Sequence, residues 1–233
     1  MNKQTGFPGL GHNILGLITF FTMSIALYMV FIWSPIEKVM REVQKIFYFH
    51  VGTAWVGFFA FFVVFVCSIM YLKTKERKWD IIAASAAEIG VVFITLVIIT
   101  GPIWAKSAWN TWWTWEPRLT TSLILWFIYI AYVLVRASSV ENEKKARLSA
   151  IFGIIGFVDV PIVFLSIKWW SVAHPFLIEN GKMSLEPAMF QTLMVSVLAF
   201  TLLFFYLLQK GIAISKAQDE VNAIKGKLRE KYN

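Results

Sequence analysis

Residues 46–72 read IFYFHVGTAWVGFFAFFVVFVCSIMYL, a stretch without a single Asp, Glu, Lys or Arg. As a helix it is about 40 Å long at 1.5 Å per residue, more than enough for the ~30 Å hydrocarbon layer of a bilayer. Backbone amides in lipid must find their partners within the segment, which makes it a helix and not a single strand. Five further runs of the same kind lie near 14–33, 81–104, 118–136, 148–167 and 187–209. The whole chain of 233 residues is 58% hydrophobic, 17% aromatic and 15% charged. One small water-soluble core cannot hide that much apolar surface, so the lipid bilayer is the solvent. The predicted fold class is all-α: a polytopic membrane helix bundle of six transmembrane helices with an external tryptophan-rich interfacial segment. Residues 1–209 form the six-span membrane domain, including the loop at 105–118, and residues 210–233 form a basic cytoplasmic tail.

The first run follows a lone Lys3 and ends at Trp33-Ser34-Pro35 without a small-residue cleavage pattern, which reads as a retained helix and not a removed signal peptide. Cys67 is the one cysteine, which rules out a disulfide framework or a thiolate metal site built from this chain. The net charge of +8 is spread over loops between spans, a topology signal and not a nucleic-acid footprint. Six spans put the termini and the 73–80 and 137–147 loops on one side. That side carries most of the Lys and Arg, among them Lys73, Lys75, Arg77, Lys78, Arg136, Lys144, Lys145, Arg147 and the tail lysines. Positive residues favour the cytoplasm. The expected arrangement in the plasma (inner) membrane therefore has both termini inside and the 34–45, 105–117 and 168–186 loops outside.

The tryptophans divide unevenly across this arrangement. Trp33, Trp104, Trp109, Trp112, Trp113, Trp115, Trp169 and Trp170 fall at the outer boundary, Trp79 alone at the inner one, and Trp55 and Trp126 within spans. Aromatic belts normally mark both interfaces. A belt explains Trp33 or Trp104, but not four indoles between 109 and 115. In a helical 109–116 segment, Trp109, Trp112, Trp113 and Glu116 share one face and Trp115 points elsewhere. Pro117 ends such a piece and suits the first turn of the next span. The segment thus reads as a short interfacial helix or turn, an apolar shelf on which a flat π-rich ligand can stack.

Two histidines share that side: His50, one turn into the second run, and His174, just past the fifth, in Trp169-Trp170-Ser171-Val172-Ala173-His174-Pro175. Either alone reads as a hydrogen-bonded interfacial histidine. Together, imidazoles from different helices can ligate one iron from opposite faces of a planar macrocycle. Arg118 is then a candidate partner for a carboxylate of that macrocycle, with a snorkelling helix-end residue as the alternative; Lys168 is a weaker candidate. His12 falls on the inner side and is excluded. Glu88 and Asp159 are intramembrane acids expected to face the bundle interior or a cavity, Asp159 with a hydrogen bond to backbone freed by Pro161. Gly52, Gly57 and the run Ala83-Ala84-Ser85-Ala86-Ala87 are assigned to close helix packing. Val221, Ile224 and Leu228 form one stripe in the tail, which fits a membrane-surface helix, a partner helix or a solvated tail.

These residues resemble the WWD-domain haem-handling proteins of cytochrome c maturation, and within them the CcmC type. The family core reads roughly W-G-x-W-W-x-W-D-x-R-L-T, beside Trp109-Asn110-Thr111-Trp112-Trp113-Thr114-Trp115-Glu116-Pro117-Arg118-Leu119-Thr120 in this chain. Phe47-Tyr48-Phe49-His50 with Ala54-Trp55, and Val160-Pro161-Ile162-Val163 leading to Trp169-Trp170 and His174, are similar to CcmC as well. The resemblance implies an external site for haem b with His50 and His174 as iron ligands. The platform it implies is made of Trp109, Trp112, Trp113, Trp115, Glu116 and Arg118. It further implies a haem chaperone of the CcmE type as acceptor, with CcmA/CcmB-type ABC transporter subunits and a CcmD-like small membrane protein as partners. The chain departs from the pattern at Asn110, where glycine is usual, at Glu116, where aspartate is usual, and at Asp159, where asparagine is expected.

The expected function is haem binding and transfer without bond-making catalysis. A membrane b-type cytochrome that keeps its haem usually pairs histidines within the bundle, and here the two lie near one surface. A CcsA-like cytochrome c synthase needs a longer chain with more histidines. A transporter would show broken helices or charged pairs at mid-membrane, and only Glu88 and Asp159 lie there.

Overall fold

The computed structural model describes residues 10–138, 141–169, 178–179, 182–183 and 185–232, with side chains described except at 10–13, 108–109, 167–169, 178–179, 182–183 and 232. α1 spans Leu10–Tyr28 and passes into a π-helical turn, Met29–Trp33; then come α2 (Gln44–Thr74), α3 (Arg77–Trp109), α4 (Pro117–Ala137), α5 (Asn142–Trp169) and α6 (Pro187–Tyr232). A two-residue antiparallel pairing of Ile178–Glu179 with Lys182–Met183 joins α5 to α6. Six helices are long and apolar enough to cross a membrane, as the apolar runs predict.

Most of the helices outlast those runs, because a helix continues wherever its backbone is satisfied while hydropathy marks only the part in lipid. α2 stops where Lys75 turns left-handed (φ 58°) and its N–H reaches the Tyr71 carbonyl at 2.8 Å, the usual way of closing the last turn. α6 has no such stop. It runs through Gln209 to Tyr232, so the tail residues continue the helix and leave Val221, Ile224 and Leu228 exposed.

α2 lies at the centre, packed on α3, α5 and α6, while α1 rides on the outside against α6. Small residues bring the central pair together: a Cβ on Gly57 would sit 3.5 Å from the backbone nitrogen of Ile94, and one on Gly52 would strike the Phe200 ring at 2.4 Å. Ala83, Ala84, Ser85, Ala86 and Ala87 are all buried, as their assignment to packing requires. The Phe61 and Tyr129 rings stack 3.5 Å apart in the resulting core, and the Tyr129 hydroxyl donates to the Gly153 carbonyl at 3.2 Å. The two tryptophans within spans find hydroxyl partners on neighbouring helices, Trp126 donating to Thr95 Oγ1 at 2.8 Å and Trp55 to Thr201 Oγ1 at 3.0 Å. A buried indole N–H in lipid needs such a partner.

Near the start of α3, buried Asp80 accepts from Arg77 and from Arg136 of α4, and Arg77 also grips Asp219 of α6 through Nε and Nη2, both at 3.1 Å. Asp80 and Gly101 lie about 30 Å apart along α3 at 1.5 Å per residue, so two polar centres stand one hydrocarbon thickness apart. The mid-span acids depart from expectation. Glu88 is exposed on the outside of the bundle and does not face its interior, and Asp159 Oδ2 is buried without a hydrogen bond among the described residues.

Candidate functional site

At the far end of α3 from Asp80, the first turns of α2, the last turns of α3, the 111–116 connection and the start of α4 enclose a cavity of about 140 Å³. His50 projects into it from α2. Its Nδ1 lies 2.8 Å from Thr100 Oγ1 on α3, and the ring lies beside the neighbouring Gly101, where a Cβ would make an ordinary contact with His50 Cε1 at 3.4 Å. The Nδ1–Cε1 edge of the imidazole therefore rests on α3. Nε2, bonded to Cε1, makes no hydrogen bond among the described residues. Pro102, also in the wall, has no N–H to give the Ile98 carbonyl, so the helix wall carries a backbone acceptor without its usual donor.

The tryptophan segment is not helical, which corrects the expected one-faced shelf. α3 ends at Trp109 because Asn110 adopts the left-handed conformation (φ 57°, ψ 24°), and Lys106 Nζ reaches both Asn110 Oδ1 at 2.8 Å and its carbonyl at 3.3 Å. Glycine is the default residue for this position, and asparagine tolerates it best among the others. Asn110 thus fills a backbone position that glycine would also suit. Val at this position is expected to cost about 1–2 kcal/mol, whereas Asn110→Gly stays near wild type. Thermal unfolding in detergent checks this, and equal stability of the two variants would refute it.

Beyond Asn110 the chain is irregular to Glu116, and helical spacing no longer sorts the indoles. Trp113 lines the cavity, and its buried Nε1–H has no hydrogen-bond partner among the described residues. Trp115, expected to point elsewhere, packs edge-on against Trp113 with centroids 5.8 Å apart. Trp112 and Trp115 are 59% and 76% exposed, and neither lines the cavity. The Trp109 side chain lies outside the described residues, as do His174 and the Lys168 side chain.

α4 opens with Pro117 at its first position after Glu116, the placement that a missing N–H favours. Glu116 and Arg118 both line the cavity. The Glu116 carboxyl titrates above the usual carboxylate range because burial disfavours its charge, an effect that Arg118 partly offsets. The Arg118 guanidinium makes no hydrogen bond or contact ion pair among the described residues. The cavity thus brings together His50, Trp113, Glu116 and Arg118 from the expected set. It adds Gly101 and apolar wall residues such as Phe58, Val97 and Val163, while Thr100 stays out of the lining and reaches the site through its hydrogen bond to His50. Threonine followed by glycine and proline near the end of an over-long apolar run was the one available signal.

A six-helix bundle of membrane-spanning length with an imidazole, an indole donor and a guanidinium lining a small, mostly apolar cavity defines a polytopic membrane protein with a candidate ligand site at one end of its helices. The chain belongs to the CcmC family, heme exporter protein C, whose model matches residues 6–225. It is 31% identical to the heme exporter protein C of Bradyrhizobium diazoefficiens over 82% of this chain and 73% of that one. With the heme exporter protein C of Escherichia coli K12 it shares 29% identity over 73% of this chain and 69% of the relative.

Proposed function

We propose that the protein binds haem b at the outer face of the plasma (inner) membrane and hands it to a chaperone of the CcmE type during cytochrome c biogenesis. The observation that carries this reading is the convergence in one cavity of His50, whose Nε2 has no hydrogen bond among the described residues, with Arg118 and a Trp113 N–H that has no hydrogen-bond partner among them either. Each fits one part of haem: a neutral imidazole nitrogen fits the iron, while an indole donor and a guanidinium fork fit the propionates. His174 is the proposed second axial ligand on the strength of the sequence.

The size of the cavity bears on transfer against retention. At about 140 Å³ it is close to a cavity that holds one benzene-sized ring. Only an edge of a macrocycle would fit inside, with the rest outside, where the exposed Trp115 packs on the cavity residue Trp113. A ligand seated in this way can leave for an acceptor without the bundle opening, which suits a carrier better than a redox cytochrome. CcmA/CcmB-type ABC subunits and a CcmD-like protein complete the proposed assembly, and the charge bias of the loops supports cytoplasmic termini.

The test is the visible spectrum of the purified full-length protein beside His50→Ala and His174→Ala. Loss of most haem, or of its low-spin ligation, is expected in each. Wild-type haem content and ligation in both variants would sink the site. Labelling of Lys106→Cys, in a Cys67→Ala background, from outside intact cells tests the orientation; protection there would invert it.

A further inference from the structure

We propose that Thr100 is a positioning residue for this site: it fixes the His50 imidazole in the tautomer whose Nε2 lone pair is open to iron. The inference rests on the reading of His50 as an iron ligand. It is carried by two hydrogen bonds that share one hydroxyl. Thr100 Oγ1 lies 2.7 Å from the Leu96 carbonyl and 2.8 Å from His50 Nδ1. The hydroxyl has one proton, and a carbonyl can only accept, so the proton goes to Leu96. Toward His50 the oxygen can then only accept. Nδ1 must carry a hydrogen, and in the neutral ring Nε2 must be without one.

The opposite tautomer would require Thr100 to turn its proton to Nδ1 and abandon Leu96, with one hydrogen bond fewer. Two further features hold the arrangement. The β-branch of threonine restricts χ1 and so keeps Oγ1 on the line between the two partners. The ring also sits within ordinary contact range of α3 at Gly101, where an added Cβ would lie 3.4 Å from Cε1. A metal-bound histidine commonly gives its second N–H to such an acceptor, which orients the ring and raises the basicity of the ligating nitrogen. Here the acceptor comes from a different helix, so the α2–α3 packing itself aims the ligand.

The experiment compares Thr100→Val, which keeps the shape and loses the oxygen, with Thr100→Ser, which keeps the oxygen. Haem affinity in Thr100→Val is expected to fall about tenfold or more, the lower end for loss of such a partner. Its ferric spectrum is expected to shift toward high spin and its reduction potential to rise, since a less basic imidazole favours ferric iron less. Thr100→Ser is expected to restore all three. A readout that needs no haem is the ¹⁵N spectrum of histidine-labelled ligand-free protein near neutral pH, where His50 is expected with Nδ1 protonated and Nε2 bare. Wild-type affinity and spectrum in Thr100→Val, or an Nε2-protonated His50 in the ligand-free protein, would overturn the proposal. If instead His50→Ala retains its haem, the assignment of the ligand itself has failed, a result distinct from failure of Thr100 alone.

Discussion

Replacing Gly101 by leucine is expected to lower haem retention at least tenfold while leaving the bundle folded, and Gly101→Ala is expected to retain it. The difference lies in where the added atoms go. A Cβ at this position meets His50 Cε1 at 3.4 Å, an ordinary contact that the imidazole accepts without moving. Helical side chains point back over the preceding turn, so the leucine branches run toward Val97 and Ile98, which wall the same cavity of about 140 Å³. They occupy the space that a macrocycle edge would enter and press on the ring that would ligate its iron. Folding does not suffer, because leucine is a better helix former than glycine by roughly 0.5–1 kcal/mol. Soret absorbance per protein, read beside the thermal midpoint in detergent, separates the two effects. A Leu variant with wild-type haem would show that the ligand lies elsewhere.

Much of the site was legible as composition but not as geometry. Four indoles in seven residues, followed by Glu116-Pro117-Arg118, announce a local purpose, and His50, Trp113, Glu116 and Arg118 do meet in the cavity. The error lay in extending helical spacing through Asn110. A left-handed residue at a helix end resets the phase, so Trp113 and Trp115, two apart in sequence, pack together while Trp112 turns outward. Asn110 and the preceding Lys106 were the available sign of that stop. The pairing of Thr100 with His50 was not legible: Thr100-Gly101-Pro102 marks a local irregularity in α3, but the two partners are fifty residues apart, and no periodicity within one helix reports what the next helix places opposite it.

The spans themselves were legible because lipid imposes a length. A bilayer core demands about twenty apolar residues, and six such runs leave little choice of fold. Helix ends obey other rules. α3 begins at Arg77, ahead of the apolar run, and α6 extends beyond Gln209, because at the interface backbone capping and charge decide where a helix stops. Hydropathy does not see these terms. It also read Glu88 and Asp159 alike, although one lies on the outside and the other holds a buried oxygen.

Removing the Asp80 carboxylate is expected to be the most damaging single change at the other end of the bundle. Asp80 is 3% exposed and joins Arg77 of its own helix to Arg136 of α4. The arginines are not equal partners. Arg77 is half exposed and keeps Asp219 when Asp80 is gone, so its share is no more than that of a surface pair, under about 1 kcal/mol. The Arg136 side chain is 16% exposed and has Asp80 as its only acceptor among the described residues, so in Asp80→Asn it keeps a largely buried charge without that counter-ion. Breaking a buried pair from one side costs about 3–5 kcal/mol, chiefly for the charge left behind; with Arg136 reaching the surface, a loss of about 3 kcal/mol is expected. The same reasoning predicts a rescue. Asp80→Asn with Arg136→Gln removes the stranded charge and leaves two amides able to bond each other, so the double variant is expected to regain most of the loss. Thermal or denaturant unfolding of the four proteins in detergent gives the cycle. If the double variant is as unstable as the sum of the singles, Asp80 acts through packing and not through Arg136.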